Sequence, residues 1–123
     1  MPEVKRSIRV GERLREVLAV LLSREVRDPR LASVSVTQVE MTSDLQQARV
    51  KVRSPSGETA EGRKALLAGL GSATGLLRRE AGRRLGLRYT PRLVFQYDEA
   101  PEKRDRVDAL LEEIAREPRG QSE

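Results

Sequence analysis

The sequence predicts a single α+β domain in which a three-stranded mixed sheet packs on helices. Segments with apolar residues at every second position are interspersed with segments whose apolar residues recur every three or four positions. A long helical stretch also separates the second predicted strand from the third, which allows the third strand to pair in parallel. The 123 residues suit one compact domain. We expect residues 1–116 to form it and residues 117–123 to be a frayed tail.

The first predicted element is a helix over residues 8–25. Its apolar residues fall on one side of a helical wheel, and Asp28-Pro29 ends it because the residue before proline avoids the helical region. The apolar positions are Val10, Leu14, Val17, Leu18, Leu21 and Leu22.

A β-hairpin follows. Residues 33–41 alternate, but Val39 and Met41 are out of phase with Val34 and Val36 by one position. A β-bulge near residues 37–38 would account for that shift. Residues 42–44 have turn chemistry, and residues 48–53 then alternate again, which predicts an antiparallel partner strand.

The second half of the chain is mostly helical. An apolar stripe with helical spacing runs from residue 59 to about residue 85, although glycines interrupt the segment. We expect two helices joined by a tight bend at residues 72–75. Pro91 then opens a strand over residues 93–97. The final helix starts at Pro101 and has apolar residues at i, i+3, i+4 and i+7.

Charge is unevenly distributed along the chain. The net charge is +5, yet residues 59–92 hold eight basic and two acidic side chains, whereas residues 93–123 hold five basic and nine acidic ones. Arginine supplies twenty of the 24 basic residues, and its planar fork matches phosphate oxygens. This polarity is typical of a protein that binds a polyanion in one orientation.

The expected bend has the chemistry of an anion-binding surface. With Leu77 facing the core, Ser72, Gly75, Arg79 and Arg83 share the opposite side of a helical wheel. Small residues would let a phosphate backbone come close, and a second helix starting there would offer unpaired N–H groups. The alternative is that the glycines permit only a bend or close packing and the arginines are a solvated face.

Other classes of function find little support. The chain has no histidine and no cysteine, which removes His-based catalysis, thiolate chemistry and the usual zinc sites, and we expect no enzyme, cofactor or metal. No segment is apolar enough for a membrane helix, so we expect a cytoplasmic protein. We also expect it to be a monomer. A DNA-binding helix-turn-helix regulator stays open as an alternative, because two helices joined by a Gly-containing turn could enter a major groove.

Three parts of the chain, in order, resemble the bacterial ribosome-binding factor A family: residues 27–52, residues 70–78, and residues 90–111. They contain RDPRL (residues 27–31) followed by VSVTQVEMTSDLQQARVKV (34–52), LGSATGLLR (70–78), TPRLVFQYDE (90–99) and RVDALL (106–111). The resemblance implies a type II KH-like domain in which an Ala-x-Gly bend, here Ala73-Thr74-Gly75, replaces the usual Gly-x-x-Gly loop. Leu76 stands where the family often has Phe, and the tail is short.

The resemblance also implies a function. Members of the family are non-enzymatic factors that bind the small (30S) ribosomal subunit and its 16S rRNA late in assembly, assist maturation of the rRNA 5′ end, and matter in the cold. Carried onto this chain, the RNA-binding surface comprises the bend and the basic side chains that follow it, with the basic first helix beside them. These residues are Ser72, Ala73, Thr74, Gly75, Arg78, Arg79, Arg83, Arg84 and Arg88, together with Lys5, Arg6, Arg9 and Arg13.

Overall fold

The computed structural model describes the backbone of residues 2–116 and the side chains of residues 5–116. It contains three helices and three strands in the order α-β-β-α-β-α, which confirms the predicted α+β class. The tail predicted from residue 117 lies outside the described residues. The elements are α1 (Pro2–Arg24), β1 (Ser35–Met41), β2 (Gln47–Arg53), α2 (Ala60–Leu85), β3 (Arg92–Tyr97) and α3 (Ala100–Arg116), with short 3-10 turns at Pro29–Leu31 and Pro55–Glu58.

The sheet has the strand order β1-β2-β3 and is mixed, as predicted. β1 and β2 pair antiparallel, and β3 lies parallel to β2 with Phe95 opposite Val50. The register between β1 and β2 shifts between Val36 and Gln38, which confirms the expected bulge. Because of the extra residue, Val36 and Val39 both face the core although they are three positions apart.

The core lies between one face of the sheet and helices α1 and α2. Alternate residues of β2 point into it, while Arg49 and Lys51 of the same strand do not. The leucines of α1 and α2 that meet them are fully buried, as the helical spacing predicts. The central residues are Leu14, Leu18, Leu21, Ala48, Val50, Val52, Leu66, Leu70 and Leu77.

The predicted bend in the central helical segment is wrong, because α2 is one unbroken helix through residues 72–75. Leu70 and Leu77 are both fully buried against the same core, so one straight apolar stripe holds both halves. The Ser72 and Thr74 hydroxyls donate to the carbonyls of Ala68 and Leu70, at 3.2 and 2.9 Å, and therefore do not cap a new helix. The unpaired N–H groups expected of a second helix are thus missing from this segment.

Capping residues set both ends of α2. At its start the Thr59 hydroxyl accepts a hydrogen bond from the Gly62 amide at 3.0 Å. At its end Gly86 adopts a left-handed conformation with φ +63°. The Leu87 amide then donates to the Gly82 carbonyl at 3.1 Å, and the Gly86 amide to the Arg83 carbonyl, which completes a Schellman motif.

Ion pairs at Glu102 in the first turn of α3 and at Glu99 just before it anchor the start of the helix, whereas its later turns are exposed. Arg53 binds both carboxylate oxygens of Glu102 at 2.8 and 2.7 Å, and Arg63 pairs with Glu99 at 2.6 Å. No residue of α3 is buried. Its apolar stripe, whose spacing is typical of a core-facing helix, is more than half exposed at Val107, Leu110, Leu111 and Ile114.

The Arg53–Glu102 pair predicts a pH dependence for the start of α3. Hydrogen bonds from Arg53 lower the pKa of Glu102 from 4.5 to about 2. Because the folded-state pKa is below the unfolded value, the stabilisation is complete above about pH 4.5 and is lost as the pH falls towards 2. We expect hydrogen-exchange protection of the first α3 amides to decline across this window in the natural chain. In Glu102→Gln, protection should be weaker above about pH 4.5 and should depend less on pH; some dependence remains because Asp98, which accepts from the Ala100 amide, also has a lowered pKa. An identical profile in both proteins would contradict the assignment.

Candidate nucleic-acid interface

One side of α2 is exposed along the helix and combines small residues with basic ones. Its residues recur every three or four positions, so they share one face. The smallest side chains occupy the middle, and the cations lie towards the two ends. We call this surface the α2 outer face; it comprises Lys64, Ala68, Gly71, Ser72, Gly75, Arg79 and Arg83.

The glycines of α2 fall into two classes. A Cβ atom at Gly69 would lie 3.0 Å from Leu31 Cδ2, and one at Gly82 would lie 2.4 Å from Thr90 Oγ1, so packing explains these two. A Cβ atom at Gly71 or Gly75 would meet nothing within 4 Å apart from the helix's own backbone. Neither has a positive φ angle. Each interior glycine costs a helix about 1 kcal/mol relative to alanine, and for Gly71 and Gly75 intramolecular packing provides no compensation.

The structure separates the four residues of the predicted bend. Ser72 and Gly75 are exposed on the α2 outer face. Ala73 instead packs against the hydrophobic core. Thr74 is half-buried, and its hydroxyl is bonded to the Leu70 carbonyl. An RNA strand lying on α2 would therefore meet Ser72 and Gly75 directly.

The arginines that follow have different surroundings. Arg79 is exposed, as is Arg83, which pairs with Glu80 at 2.7 Å and holds the pKa of that carboxyl below its usual value. Arg84 pairs with Glu25 at the end of α1. The Arg88 guanidinium lies 5.5 Å from the centre of the Tyr89 ring. Arg79 and Arg83 thus extend the α2 outer face.

Arg78 has a structural partner that the sequence does not reveal. Its Nε donates to the Pro91 carbonyl and its Nη2 to the Thr90 carbonyl, each at 3.0 Å. The side chain is half-buried, so it ties α2 to the loop before β3. Both acceptors lie in a different element, and therefore no pattern within α2 could have predicted them.

Arg78 and its neighbour Arg79 offer a matched test of this difference. We expect Arg78→Ala to lower the free energy of unfolding by about 2 kcal/mol, because two charge-assisted hydrogen bonds are lost and two carbonyls lose their donors. Arg79→Ala removes the same charge from an exposed position and should change stability by about 0.5 kcal/mol or less. Urea titrations of both variants measure the difference, and equal stabilities would contradict the structural role of Arg78.

The four basic residues predicted on the first helix, Lys5, Arg6, Arg9 and Arg13, are all exposed on α1. Arg6 lines a groove with Arg88, so the fold brings together two predicted residues that are distant in the sequence. The α2 outer face also contains Lys64, Ala68 and Gly71, which the prediction did not include. Lys64 and Ala68 lie eight and four residues before Ser72, and Gly71 lies four residues before Gly75, so helical spacing is the signal that could have found them.

The described residues offer few other kinds of site. Within residues 2–116, no helix is long and apolar enough to cross a membrane. In the same part of the chain, acidic side chains do not gather into groups of three or more that could hold a metal ion.

Comparisons with known proteins agree on one family. A family model described as ribosome-binding factor A matches residues 6–111. The chain is 54% identical over 112 residues to the ribosome-binding factor A of Sorangium cellulosum, with 90% of each chain covered. The crystal structure of ribosome-binding factor A from Thermus thermophilus superposes with a TM-score of 0.64 at 27% identity, covering 74% of this chain and 94% of that one. A second similar structure, with a TM-score of 0.59 at 27% identity over 76% of this chain and 96% of that one, is a homology model of the Thermus thermophilus protein fitted into a cryo-EM map of its complex with the 30S subunit.

Proposed function

Because the chain belongs to the ribosome-binding factor A family, we propose that it binds the small (30S) ribosomal subunit and its 16S rRNA during late maturation, without enzymatic activity. The α2 outer face is the RNA-binding surface. The observation that carries this assignment is the pair of exposed glycines, Gly71 and Gly75, which lower helix stability and make no packing contact that requires glycine.

RNA recognition on this face works through shape and phosphate contacts. The small residues let the sugar-phosphate backbone approach the helix, and Lys64, Arg79 and Arg83 supply charge on either side of them. Folded rRNA presents closely spaced phosphates in fixed positions, so a rigid helix with cations at both ends would favour it over a flexible strand.

Purified protein and isolated small subunits provide the test. Sedimentation through sucrose gradients should place the protein with the small subunits at low salt and release it at high salt. If the three cations contact phosphates, the plot of log affinity against log salt should have a slope of about −2 to −3. Equal affinity for small subunits and for heparin would contradict specific recognition, and a protein that stays at the top of the gradient would contradict the function.

The finer parts of the function rest on family membership. We propose that the protein acts in the cytoplasm as a monomer, assists maturation of the 16S rRNA 5′ end, and becomes more important in the cold. Primer extension on rRNA from cells that lack the protein should reveal 5′-extended 16S precursors, with more of them at low temperature. An unchanged 5′ end would restrict the role to binding.

Within residues 2–116, the structure does not contain the two-helix unit that the helix-turn-helix alternative needs. It required two helices joined by a turn, with arginines on the second helix. The corresponding residues form the single helix α2. The DNA-binding alternative therefore has no structural element to support it among the described residues.

A further inference from the structure

A groove of about 530 Å³ lies beside the N-terminal half of α1. Three separate parts of the chain form it, namely α1 itself, the turn between β1 and β2, and the loop between α2 and β3. Its volume is within the range of small-ligand sites. The residues that matter for its chemistry are Arg6, Asp44, Gln46, Arg88 and Tyr89.

Tyr89 differs from the other two aromatic residues of the chain. The Tyr97 ring lies close to the guanidinium groups of Arg53 and Arg63, and its hydroxyl donates to the Ser54 carbonyl at 3.2 Å. Phe95 packs against the core. Tyr89 is 75% exposed and lines the groove. An accessible aromatic ring beside a groove is what proteins use to stack an unpaired base.

Charged groups of both signs line the groove. Arg6 and Arg88 are exposed cations that line it, and the guanidinium of Arg88 lies over the Tyr89 ring, 5.5 Å from its centre. The turn between the strands contributes Asp44, whose carboxylate accepts hydrogen bonds from the Thr42 hydroxyl and the Gln46 amide; these bonds lower its pKa, so it is ionised at neutral pH. A phosphate would avoid Asp44 and lie near the two arginines. The Asp44 carboxylate can accept hydrogen bonds from the N–H groups on the edge of a base.

We propose that this groove binds an unpaired nucleotide of the RNA, with its base stacked on Tyr89 and its phosphate held by Arg6 and Arg88. The proposal rests on the RNA-binding function proposed above and adds a second contact of a different kind. The loop that carries Tyr89 follows directly on α2, so a strand that leaves the Arg83 end of the α2 outer face can continue into the groove.

Short unstructured oligoribonucleotides test the groove separately from the α2 outer face. The hexamers of adenylate and of uridylate are titrated against the full chain, and binding is followed by quenching of tyrosine fluorescence, since the chain has no tryptophan. We expect Tyr89→Leu to weaken binding about tenfold and Tyr89→Phe to restore it, because stacking needs the ring and not the hydroxyl. Calorimetry gives the affinities of both variants, because the leucine and the phenylalanine variant each lack the Tyr89 fluorophore.

A matched pair of charge variants completes the test. Arg6→Gln combined with Arg88→Gln should weaken hexamer binding, whereas Arg104→Gln combined with Arg106→Gln on α3 removes the same charge and should leave it unchanged. Hexamer binding that is equal in Tyr89→Leu and the natural chain, or absent from both, would overturn the proposal. Sedimentation with small subunits separates the two hypotheses, because failure of the groove alone leaves co-sedimentation of the natural chain intact.

Discussion

Reversing two charges on α2, in Arg79→Glu combined with Arg83→Glu, should weaken binding to small ribosomal subunits about 100-fold at physiological salt. Each replacement removes a proposed phosphate contact and adds a repulsive charge on the same exposed surface. A loss of roughly 1.4 kcal/mol of binding free energy at each position is a tenfold loss of affinity, and two such losses give the 100-fold effect. Binding is measured by co-sedimentation of labelled protein with subunits over a range of concentrations.

Folding of the reversed variant has to be checked, because acidic residues near the end of a helix oppose its dipole. The variant also lacks the ion pair between Arg83 and Glu80. We expect the free energy of unfolding to fall by about 1 kcal/mol, which leaves the protein folded. The control is Arg104→Glu combined with Arg106→Glu on α3, which removes the same four units from the net charge of +5. Equal loss of subunit binding in both double variants would mean that total charge, and not the α2 outer face, determines affinity.

Replacing both exposed glycines, in Gly71→Ala combined with Gly75→Ala, should stabilise the protein and weaken its RNA binding. Alanine is better in a helix by about 1 kcal/mol per position, and the added Cβ atoms meet no neighbouring residue. We therefore expect the free energy of unfolding to rise by about 2 kcal/mol. The same Cβ atoms would hold an RNA backbone away from the helix, so affinity for small subunits should fall several-fold.

A packing glycine of the same helix is the matched control for that pair. Gly82→Ala places a Cβ atom 2.4 Å from Thr90 Oγ1, so it should destabilise the protein. We expect the stability change to have opposite signs at the two kinds of glycine. Thermal or urea unfolding of the variants measures it. If the Gly71 and Gly75 variant bound subunits as tightly as the natural chain, these glycines would have no part in RNA binding.

The sheet was predictable because its signals are local. The phase shift between Val36 and Val39 indicated the bulge, and the length of the helical crossover allowed β3 to be parallel. The continuity of α2 is not predictable from these residues, because Gly71, Ser72 and Gly75 have weak helix propensity and indicate a break. Burial of Leu70 and Leu77 against one core outweighs that local preference.

The candidate site was predictable only in part. Helical periodicity placed Ser72, Gly75, Arg79 and Arg83 on one face, and the structure has the same arrangement. Contacts between distant parts of the chain could not be inferred in that way. The hydrogen bonds of Arg78 to the loop before β3 are an example, and the shared groove of Arg6 and Arg88 is another.

The most direct test of the central claim is site-directed cross-linking from the α2 outer face to rRNA. The natural chain has no cysteine, so a single one can carry a short photoreactive group without removing others. Ser72→Cys places the group among the exposed small residues of α2, and Gln38→Cys places it on an exposed position of β1. With both variants bound to small subunits, we predict cross-links to 16S rRNA from position 72 at several times the yield from position 38. Equal yields, or a higher yield from position 38, would contradict the assignment of the α2 outer face as the RNA-binding surface.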